Sequence, residues 1–198
     1  MQKITLALAF GVVATTTPAL ADTWNIDAKH SQASFKIKHM TVSNVNGTIT
    51  GIKGSATYDG KNVQGLSVNA DLDVNTINTS ESGRDEHLKG PDFFDAAKYP
   101  TITFRSKHTA QKPDGHFQLI GDLTMHGVTK EVAMDVEGPT AAIKDPKGTE
   151  HVGASAHTTV KRSDFGIGSA PEAMIGNDVG ITLDVELLKP ATDKKASR

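Results

Sequence analysis

Long segments in which apolar and polar residues alternate one by one are the feature that most constrains the fold of this chain. The alternation runs through residues 33–39, 66–74, 128–136 and 179–187. Each segment therefore places apolar side chains on one face and polar side chains on the other. A period of two is typical of antiparallel strands that have one dry face and one face in water. The sequence thus indicates a mainly β protein.

Further strands are predicted at 45–58, 101–109, 116–126 and 150–160, because turn sequences such as Asp59-Gly60 separate them from their neighbours. The total is about eight strands, several of about 9–12 residues, where about 5–6 is usual. Long antiparallel strands bury their dry faces either as two stacked sheets or as a closed barrel. Closure also removes exposed strand edges, so the pattern favours an all-β, eight-stranded antiparallel barrel.

The alternation gives way to a different pattern at about residues 79–98, where we expect a short helical insert. Asn78 and Glu81 have the spacing of a capping box ahead of a helix. Pro91 is placed to begin a second helical turn, which Pro100 would end. The fold class predicted from the sequence is therefore an all-β barrel with this one insert.

The first 21 residues have the pattern of a secretory signal peptide. Lys3 precedes an apolar run at residues 4–14, and Ala19-Leu20-Ala21 precedes Asp22. The run has about 11 residues, and a membrane-spanning helix needs about 20, which argues against an uncleaved anchor. We therefore expect export to the periplasm and three parts of the chain: a signal peptide at 1–21, a single domain at 22–190 and a polar tail at 191–198.

The composition excludes several classes of protein. The 198 residues contain no cysteine, which rules out disulfides, cysteine-ligated metals and thiol catalysis. They contain 21 Lys and Arg residues against 23 Asp and Glu residues. Nucleic-acid-binding proteins have a basic excess instead, so we expect no nucleic-acid partner.

The sequence also lacks the spacings of common catalytic and metal-binding motifs. The glycines around Ser169 lack the spacing and the strand-to-helix context of a hydrolase nucleophile. None of the eight histidines forms a His-x-x-x-His pair on a predicted helix. We therefore predict no catalytic residues, no metal, and no cofactor other than a bound lipid. A histidine-based metalloenzyme is the least favoured alternative.

Small residues on the predicted dry faces indicate space inside the barrel. Gly47, Ala70, Gly121, Ala154 and Ala156 are expected to point inward. An eight-stranded barrel is wide enough either for its own side chains or for one small ligand, so a solid barrel is the alternative. Transfer of each CH₂ group out of water contributes about 0.8 kcal/mol, so an apolar chain of about a dozen carbons would bind without any polar contact.

Strand parity and the position of the insert select the residues expected to line such a cavity. They are Phe35, Ile37, Ile49, Leu72, Phe93, Phe94, Ile102, Phe104, Phe117, Leu119, Leu123, Val132, Met134, Ala156, Phe165 and Leu183. Two polar clusters, at residues 84–89 and 161–166, either solvate the surface or contribute to a polar mouth that meets a head group. The candidate mouth residues are His39, Arg84, His87, Arg162 and Asp164.

Six motifs that follow one another along the chain resemble those of the YceI-like family. They are Trp24-x-Ile26-Asp27-x-x-His30-Ser31 with Phe35-x-Ile37-x-His39, then Arg84-Asp85-x-His87-Leu88-Lys89, Asp92-Phe93-Phe94-Asp95, Lys98-Tyr99-Pro100-x-Ile102-x-Phe104, His126-Gly127-Val128-Thr129 and Arg162-Ser163-Asp164-Phe165-Gly166. The resemblance covers residues 23–188. It implies an exported, lipocalin-like barrel with a helical insert that holds a long isoprenoid or similar amphiphile. It supplies no catalytic motif and implies carriage or storage.

We therefore expect a periplasmic lipid-binding protein that holds a polyisoprenoid, a quinone-like or a fatty-acid-derived lipid for transport or storage. Its partners would be this long-chain apolar ligand and, transiently, a membrane or a membrane protein. Some relatives form homodimers, and the sequence leaves the oligomeric state open. The alternative is an interaction module, a solid barrel whose outer face docks a membrane-bound redox partner.

Overall fold

The structure, a computed structural model, describes residues 21–114 and 116–190. Apart from Ala21, the predicted signal peptide at 1–21 lies outside the described residues, as does the predicted tail at 191–198. The strands are β1 (Asp22–Ile26), β2 (Gln32–His39), β3 (Ser43–Ile49), β4 (Lys53–Tyr58), β5 (Ser67–Asp73), β6 (Thr101–Gln111), β7 (Phe117–Met125), β8 (Val128–Glu137), β9 (Ile143–Lys144), β10 (Glu150–Lys161) and β11 (Ile175–Lys189). The α-helix α1 spans Ser82–Lys89.

Eight of these strands close into an antiparallel barrel. The ring runs β1-β4-β5-β6-β7-β8-β10-β11, and β11 completes it by pairing with β10 on one side and β1 on the other. The longest pairing joins β10 to β11 from Glu150 opposite Lys189 to Lys161 opposite Asp178. The predicted fold class, an eight-stranded antiparallel barrel, is therefore confirmed.

Two walls of the barrel consist of strands that break and then resume. Both β1 and β2 pair with β11, because a turn at residues 27–31 interrupts what would otherwise be one strand. The single strand predicted at 45–58 is likewise two strands, β3 and β4, separated at residues 50–52, where Gly51 has a φ of +70°. The β2–β3 hairpin therefore extends the wall at one end of the barrel, which we call the hairpin end.

The helical insert lies at the hairpin end, between β5 and β6, and it differs from the prediction in detail. Glu81, rather than Asn78, caps α1, since its carboxylate accepts hydrogen bonds from Gly83 N at 2.9 Å and Arg84 N at 2.6 Å. Asn78 instead accepts from Ser80 N at 2.8 Å, which forms a local turn and removes it from the predicted capping box.

The predicted second helical turn, after Pro91, is wrong. Residues 91–98 form turns, and Asp95 has a φ of +46°, which is incompatible with a continuing right-handed helix. The chain folds back on α1 instead, with Phe94 N donating to Leu88 O at 3.0 Å and Ala96 N to Lys89 O at 2.8 Å. Phe93 and Phe94 are thereby held beside the barrel interior.

The opposite end of the barrel, which we call the Trp24 end, is packed by an aromatic side chain. Trp24 is fully buried in the middle of β1, and its Nε1 donates to Tyr58 O at 3.3 Å. The ammonium group of Lys189 lies 4.8 Å from the centre of the indole ring. Among the described residues, no helix has the length and apolar character needed to cross a bilayer.

Candidate functional site

The barrel encloses a cavity of about 420 Å³. This volume falls in the range of about 300–1,000 Å³ that is usual for small-molecule sites. Aliphatic and aromatic side chains make up most of its wall, and the charged and imidazole side chains that reach it are Lys38, His39, Arg84, His87 and Arg162. All five come from the hairpin end. The interior is therefore hollow and apolar with one polar end, an arrangement that the solid-barrel alternative does not fit.

Most of the residues predicted to line a cavity lie on its wall. These are Phe35, Ile37, Ile49, Leu72, Phe93, Phe94, Ile102, Phe104, Phe117, Leu119, Leu123, Met134, Ala156 and Leu183. They come from eight strands and from the insert, and the closure of the barrel brings them together. Sequence reasoning missed other wall residues, among them Val179, Ile181 and Val185 on β11, although their alternation was the available signal.

Two predicted lining residues lie outside the cavity wall. Val132 on β8 lies opposite Gly121 on β7 and packs against the core, in a part of the wall that the ring of Phe104 covers. Phe165 belongs to a short 3₁₀ helix at residues 162–165, where it is fully buried in the core. The position of a residue in the alternation predicts which face of the strand it is on. It does not predict whether another side chain separates that residue from the cavity.

The glycines predicted to leave room inside the barrel are covered by aromatic rings instead. A Cβ atom at Gly121 would lie 2.7 Å from Cζ of Phe104, and one at Gly47 would lie 2.6 Å from Cε1 of Phe35. The space in the cavity is therefore not provided by these two positions. Of the other small residues, Ala70, Ala154 and Ala156 do line the cavity.

Arg162 was a candidate for binding a ligand head group at the polar mouth, but the structure shows that it stabilises the backbone instead. Its guanidinium donates five hydrogen bonds to backbone carbonyls, which belong to Gly176 (3.0 Å), Ile167 (3.2 Å), Gly168 (2.6 Å), Ala170 (2.6 Å) and Ile175 (2.9 Å). The side chain is only 7 % exposed. Because a guanidinium has five N–H donors, none is left for a ligand head group. Arg162 therefore holds the segment between β10 and β11 in place.

The rest of the polar cluster around Arg162 is also structural. Asp164 is exposed and lies outside the cavity wall, contrary to the prediction. His126 Nδ1 lies 3.2 Å from Phe165 O, and the His126 ring packs edge-on against Tyr99 with a centroid distance of 4.9 Å. These contacts join the β7–β8 turn, the insert and the 3₁₀ helix at the hairpin end.

Arg84 differs from Arg162 because part of its guanidinium remains available. Its Nε donates to the Thr79 hydroxyl at 2.8 Å, and its Nη2 donates to Thr79 O at 2.9 Å. The Asp85 carboxylate accepts from the same hydroxyl at 2.5 Å, a bond that lowers the pKa of Asp85 from its ordinary value. Arg84 lines the cavity, and among the described residues no hydrogen bond engages its Nη1.

His87 and His39 lie at the same polar end. His87 Nε2 is 3.5 Å from an Asp92 carboxylate oxygen, and its ring packs edge-on against Phe93 at a centroid distance of 4.9 Å. His39 ends β2 and pairs with Ile175, the first residue of β11. With Arg84, these side chains provide hydrogen-bond donors and acceptors where the cavity wall ceases to be apolar.

A second group of titratable residues lies outside the cavity, around Glu186. The ligand atoms of Asp27, His30 and Glu186 all lie within 4.8 Å of one another, a spacing in which a metal ion could be held. Hydrogen bonds already engage these atoms: His30 Nδ1 lies 2.8 Å from Asp27 Oδ2, and His151 Nδ1 lies 2.6 Å from Glu186 Oε1. These interactions raise the pKa of both histidines; the first lies within the turn between β1 and β2, and the second joins β10 to β11.

A family model described as YceI-like domain matches residues 24–187 of the chain. Among curated relatives, a UPF0312 protein of Vibrio cholerae is 33% identical over 170 residues, which cover 84% of this chain and 89% of the relative. A UPF0312 protein of Yersinia pestis is 35% identical over 170 residues, which cover 84% of this chain and 88% of the relative.

Solved structures give the same result for the fold. The YCEI protein of Campylobacter jejuni superimposes with a TM-score of 0.69 at 31% identity, covering 78% of this chain and 90% of that one. BcnA of Burkholderia cenocepacia gives 0.70 at 21% identity, covering 81% and 98%. A polyisoprenoid binding domain from Saccharophagus degradans gives 0.63 at 16% identity, covering 86% and 99%. At these lower identities the last two show a shared fold.

Proposed function

Since this chain belongs to the YceI-like domain family, we propose that it is a lipid-binding protein that holds one polyisoprenoid or similar long-chain amphiphile. The observation that carries the proposal is the cavity of about 420 Å³, whose wall is apolar except at the hairpin end. The fold neighbour from Saccharophagus degradans is described as a polyisoprenoid binding domain. Polyisoprenoids are therefore the first ligands to test, followed by quinone-like and fatty-acid-derived lipids.

The energetics of such a site favour a hydrocarbon chain. Each CH₂ group that leaves water contributes about 0.8 kcal/mol, so about twelve buried carbons contribute about 10 kcal/mol before the cost of association. Micromolar affinity requires about 8 kcal/mol after that cost, so burial of the hydrocarbon chain supplies most of the free energy needed. A polar group buried in the middle of this cavity would lose its hydrogen bonds to water, which selects against polar ligands.

The polar end of the cavity gives the ligand a direction. The tail would extend toward the Trp24 end, and the head group would remain at the hairpin end beside His39, Arg84 and His87. Nη1 of Arg84 is the donor best placed to bind a hydroxyl, carbonyl or phosphate oxygen of the head group. Because the tail supplies most of the affinity, this contact would select among head groups more than it would strengthen binding.

The role that we propose is transport or storage in the periplasm, without catalysis. The signal-peptide pattern of residues 1–21 supports export. Within the described residues, the charged and imidazole side chains that reach the cavity are confined to the hairpin end, and none of the histidines there is hydrogen-bonded to a serine or threonine hydroxyl. We therefore propose that the protein carries its ligand unchanged between a donor and an acceptor.

The proposal is tested by identifying what the folded protein carries. The protein is purified from the periplasm without detergent, its intact mass is measured under native conditions, and the same sample is then extracted with organic solvent. We expect an added mass of one lipid per chain and recovery of that lipid in the extract. Repeated recovery of folded protein that has no added mass, and that takes up no polyisoprenoid on incubation, would contradict the proposal.

A further inference from the structure

Three apolar side chains are exposed together at the hairpin end. Val42 is 82 % exposed, Met40 48 % and Met174 47 %. Met40 and Val42 lie in and beside the turn between β2 and β3, and Met174 precedes β11. A hydrogen bond of 2.8 Å from Met40 N to Met174 O holds the two segments side by side. We call these three residues the tip patch.

The backbone of the hairpin turn is unusual for the residues that occupy it. Met40 and Thr41 both have positive φ, at 49° and 61°, and Val42 N donates to His39 O at 3.2 Å. A turn with positive φ at both central residues favours Asn-Gly, because these residues adopt positive φ at little cost. A β-branched threonine in this conformation is a genuine outlier. Strain that local folding does not require is typical of functional segments.

The tip patch is continuous with the entrance of the cavity. Met40 follows His39 and Met174 precedes Ile175, and these two neighbours pair with each other across β2 and β11. Both His39 and Ile175 line the cavity. The exposed apolar surface therefore begins one residue away from the cavity wall on each of the two strands.

Two exposed lysines lie on β2 beside the tip patch. Lys36 and Lys38 are exposed on β2, and among the described residues neither forms an ion pair. Glu172, in the segment that carries Met174, and Asp178 on β11 are also exposed, but Asp178 is paired with Lys161 at 2.8 Å. Apolar side chains flanked by lysines suit the surface of a bilayer that contains anionic lipids, where the apolar groups enter the interface and the lysines meet head groups.

We propose that the tip patch docks the hairpin end on an anionic phospholipid bilayer, so that an apolar chain passes between membrane and cavity without crossing water. This inference rests on the proposed function, since only a lipid carrier needs the passage. Docking is reversible, because three side chains at the interface bury little area compared with a membrane-spanning helix. A protein receptor that used the same patch would give a different result in the experiment below.

The test is flotation of the protein with protein-free vesicles of phosphatidylglycerol and phosphatidylethanolamine. The variant Val42→Asp places a carboxylate in the tip patch, and Ile143→Asp is its matched control. Ile143 is equally apolar and 68 % exposed, but it lies on β9, which pairs with β10 at the Trp24 end. We expect the wild type and Ile143→Asp to float with the vesicles. The affinity of Val42→Asp for the vesicles should be lower by a factor of about ten or more.

A second variant separates docking from folding. Replacing Met40-Thr41 by Asn-Gly gives the turn the residues that its backbone favours, so we expect the double variant to be at least as stable as the wild type. It also removes Met40 from the tip patch, so we expect it to bind vesicles more weakly. A variant that is stable and still binds like the wild type would overturn the proposal.

The remaining outcomes distinguish docking from ligand binding. Wild-type protein that carries a lipid but does not float with these vesicles would overturn docking, indicate a protein receptor, and leave the proposed function intact. Protein that floats in a manner dependent on Val42 but never contains a lipid would support docking and contradict the proposed function. Loss of flotation in Ile143→Asp to the same extent as in Val42→Asp would also overturn the proposal, because binding would then not depend on the tip patch.

Discussion

The ring of Phe35 on β2 lies directly over Gly47, its partner across the β2–β3 pairing. A Cβ atom at Gly47 would lie 2.6 Å from Cε1 of that ring and 2.9 Å from Cγ2 of Thr79. The absence of a side chain at Gly47 therefore sets the position of Phe35. Because Phe35 also lines the cavity, Gly47 controls the shape of the cavity indirectly.

The substitution Gly47→Ala should push the Phe35 ring into the cavity. We expect the free energy of unfolding to fall by about 1–3 kcal/mol, as for other overpacked sites, and the lipid content of the purified protein to fall with it. Denaturant unfolding and extraction measure the two effects. In the control, Gly180→Ala on β11, the added Cβ would make only an ordinary contact with Lys36 O at 3.9 Å, so stability should stay equal or rise. If the two variants have the same free energy of unfolding and the same lipid content, the position of the Phe35 ring does not depend on Gly47.

A bulky side chain on β10 that fills the cavity tests whether the lipid binds inside the barrel. Ala156 lines the cavity opposite Leu183 of β11, so Ala156→Trp should occupy space that the ligand needs and abolish lipid uptake. Lipid uptake is measured by extraction after incubation with a polyisoprenoid. Thr159→Trp is the control, because Thr159 is exposed and points outward from the same strand. If Ala156→Trp is folded and still takes up lipid like the control, the ligand lies elsewhere.

Replacement of Arg162 tests its assignment as a structural residue. Arg162→Met leaves five carbonyls without their charged donor, so we expect a loss of about 3 kcal/mol or more in the free energy of unfolding. Arg162→Lys should lose nearly as much, since one ammonium group has three donors and cannot reach all five carbonyls. Denaturant unfolding gives these values, and limited proteolysis should cut first in residues 167–174.

Arg105 provides the control for that prediction. Its guanidinium is half exposed, pairs with the Asp71 carboxylate at 2.6 Å, and donates to only two backbone carbonyls, Ala70 O and Phe104 O, both at 2.9 Å. Arg105→Lys should therefore cost about 1 kcal/mol or less, as is usual for exposed ion pairs. If the Arg162 variants are as stable as the Arg105 variant, Arg162 is not the residue that holds the segment before β11.

The stability of the protein should depend on pH through the cluster around Glu186. The hydrogen bond to Glu186 raises the pKa of His151 above its ordinary 6.5, so its stabilising effect is complete below pH 6.5 and is lost as the pH rises through the raised value. At acid pH the opposite applies to Asp27 and Glu150. Hydrogen bonds from His30 and Lys189, respectively, lower their pKa values, so their contribution is lost as the pH falls below 3.8 and 4.5. Stability should therefore be highest between these limits.

Thermal unfolding as a function of pH measures this effect. His151→Gln should reduce the loss of stability above pH 6.5, since the group that releases a proton is gone. Lys161→Gln is the control, because the ion pair with Asp178 raises the pKa of Lys161 above 10.5 and keeps it charged throughout the range. If the stability of His151→Gln falls with rising pH as steeply as that of the wild type, another group releases the proton that causes the fall.

Much of the fold could be predicted from the sequence, because the apolar face that each strand must bury is encoded by residues that are neighbours in the chain. The segment 128–136 alternates except at Lys130 and Ala133, and β8 occupies almost the same residues, since a strand with one apolar face is stable only when that face is covered. The strand predicted at 45–58 was half right, because alternation does not reveal that the backbone changes direction at Gly51. The second helical turn after Pro91 failed for the same reason, at the positive φ of Asp95.

The candidate site shows the same division. The sequence by itself determined which face of each strand is apolar, because a side chain's polarity and its position in a period of two are both local properties. Only the tertiary structure decided that Phe104 covers Gly121, that Arg162 satisfies five carbonyls, and that Met40 and Met174 meet beside the cavity entrance. Those outcomes depend on contacts between residues far apart in the chain, and these contacts exist only once the barrel has closed.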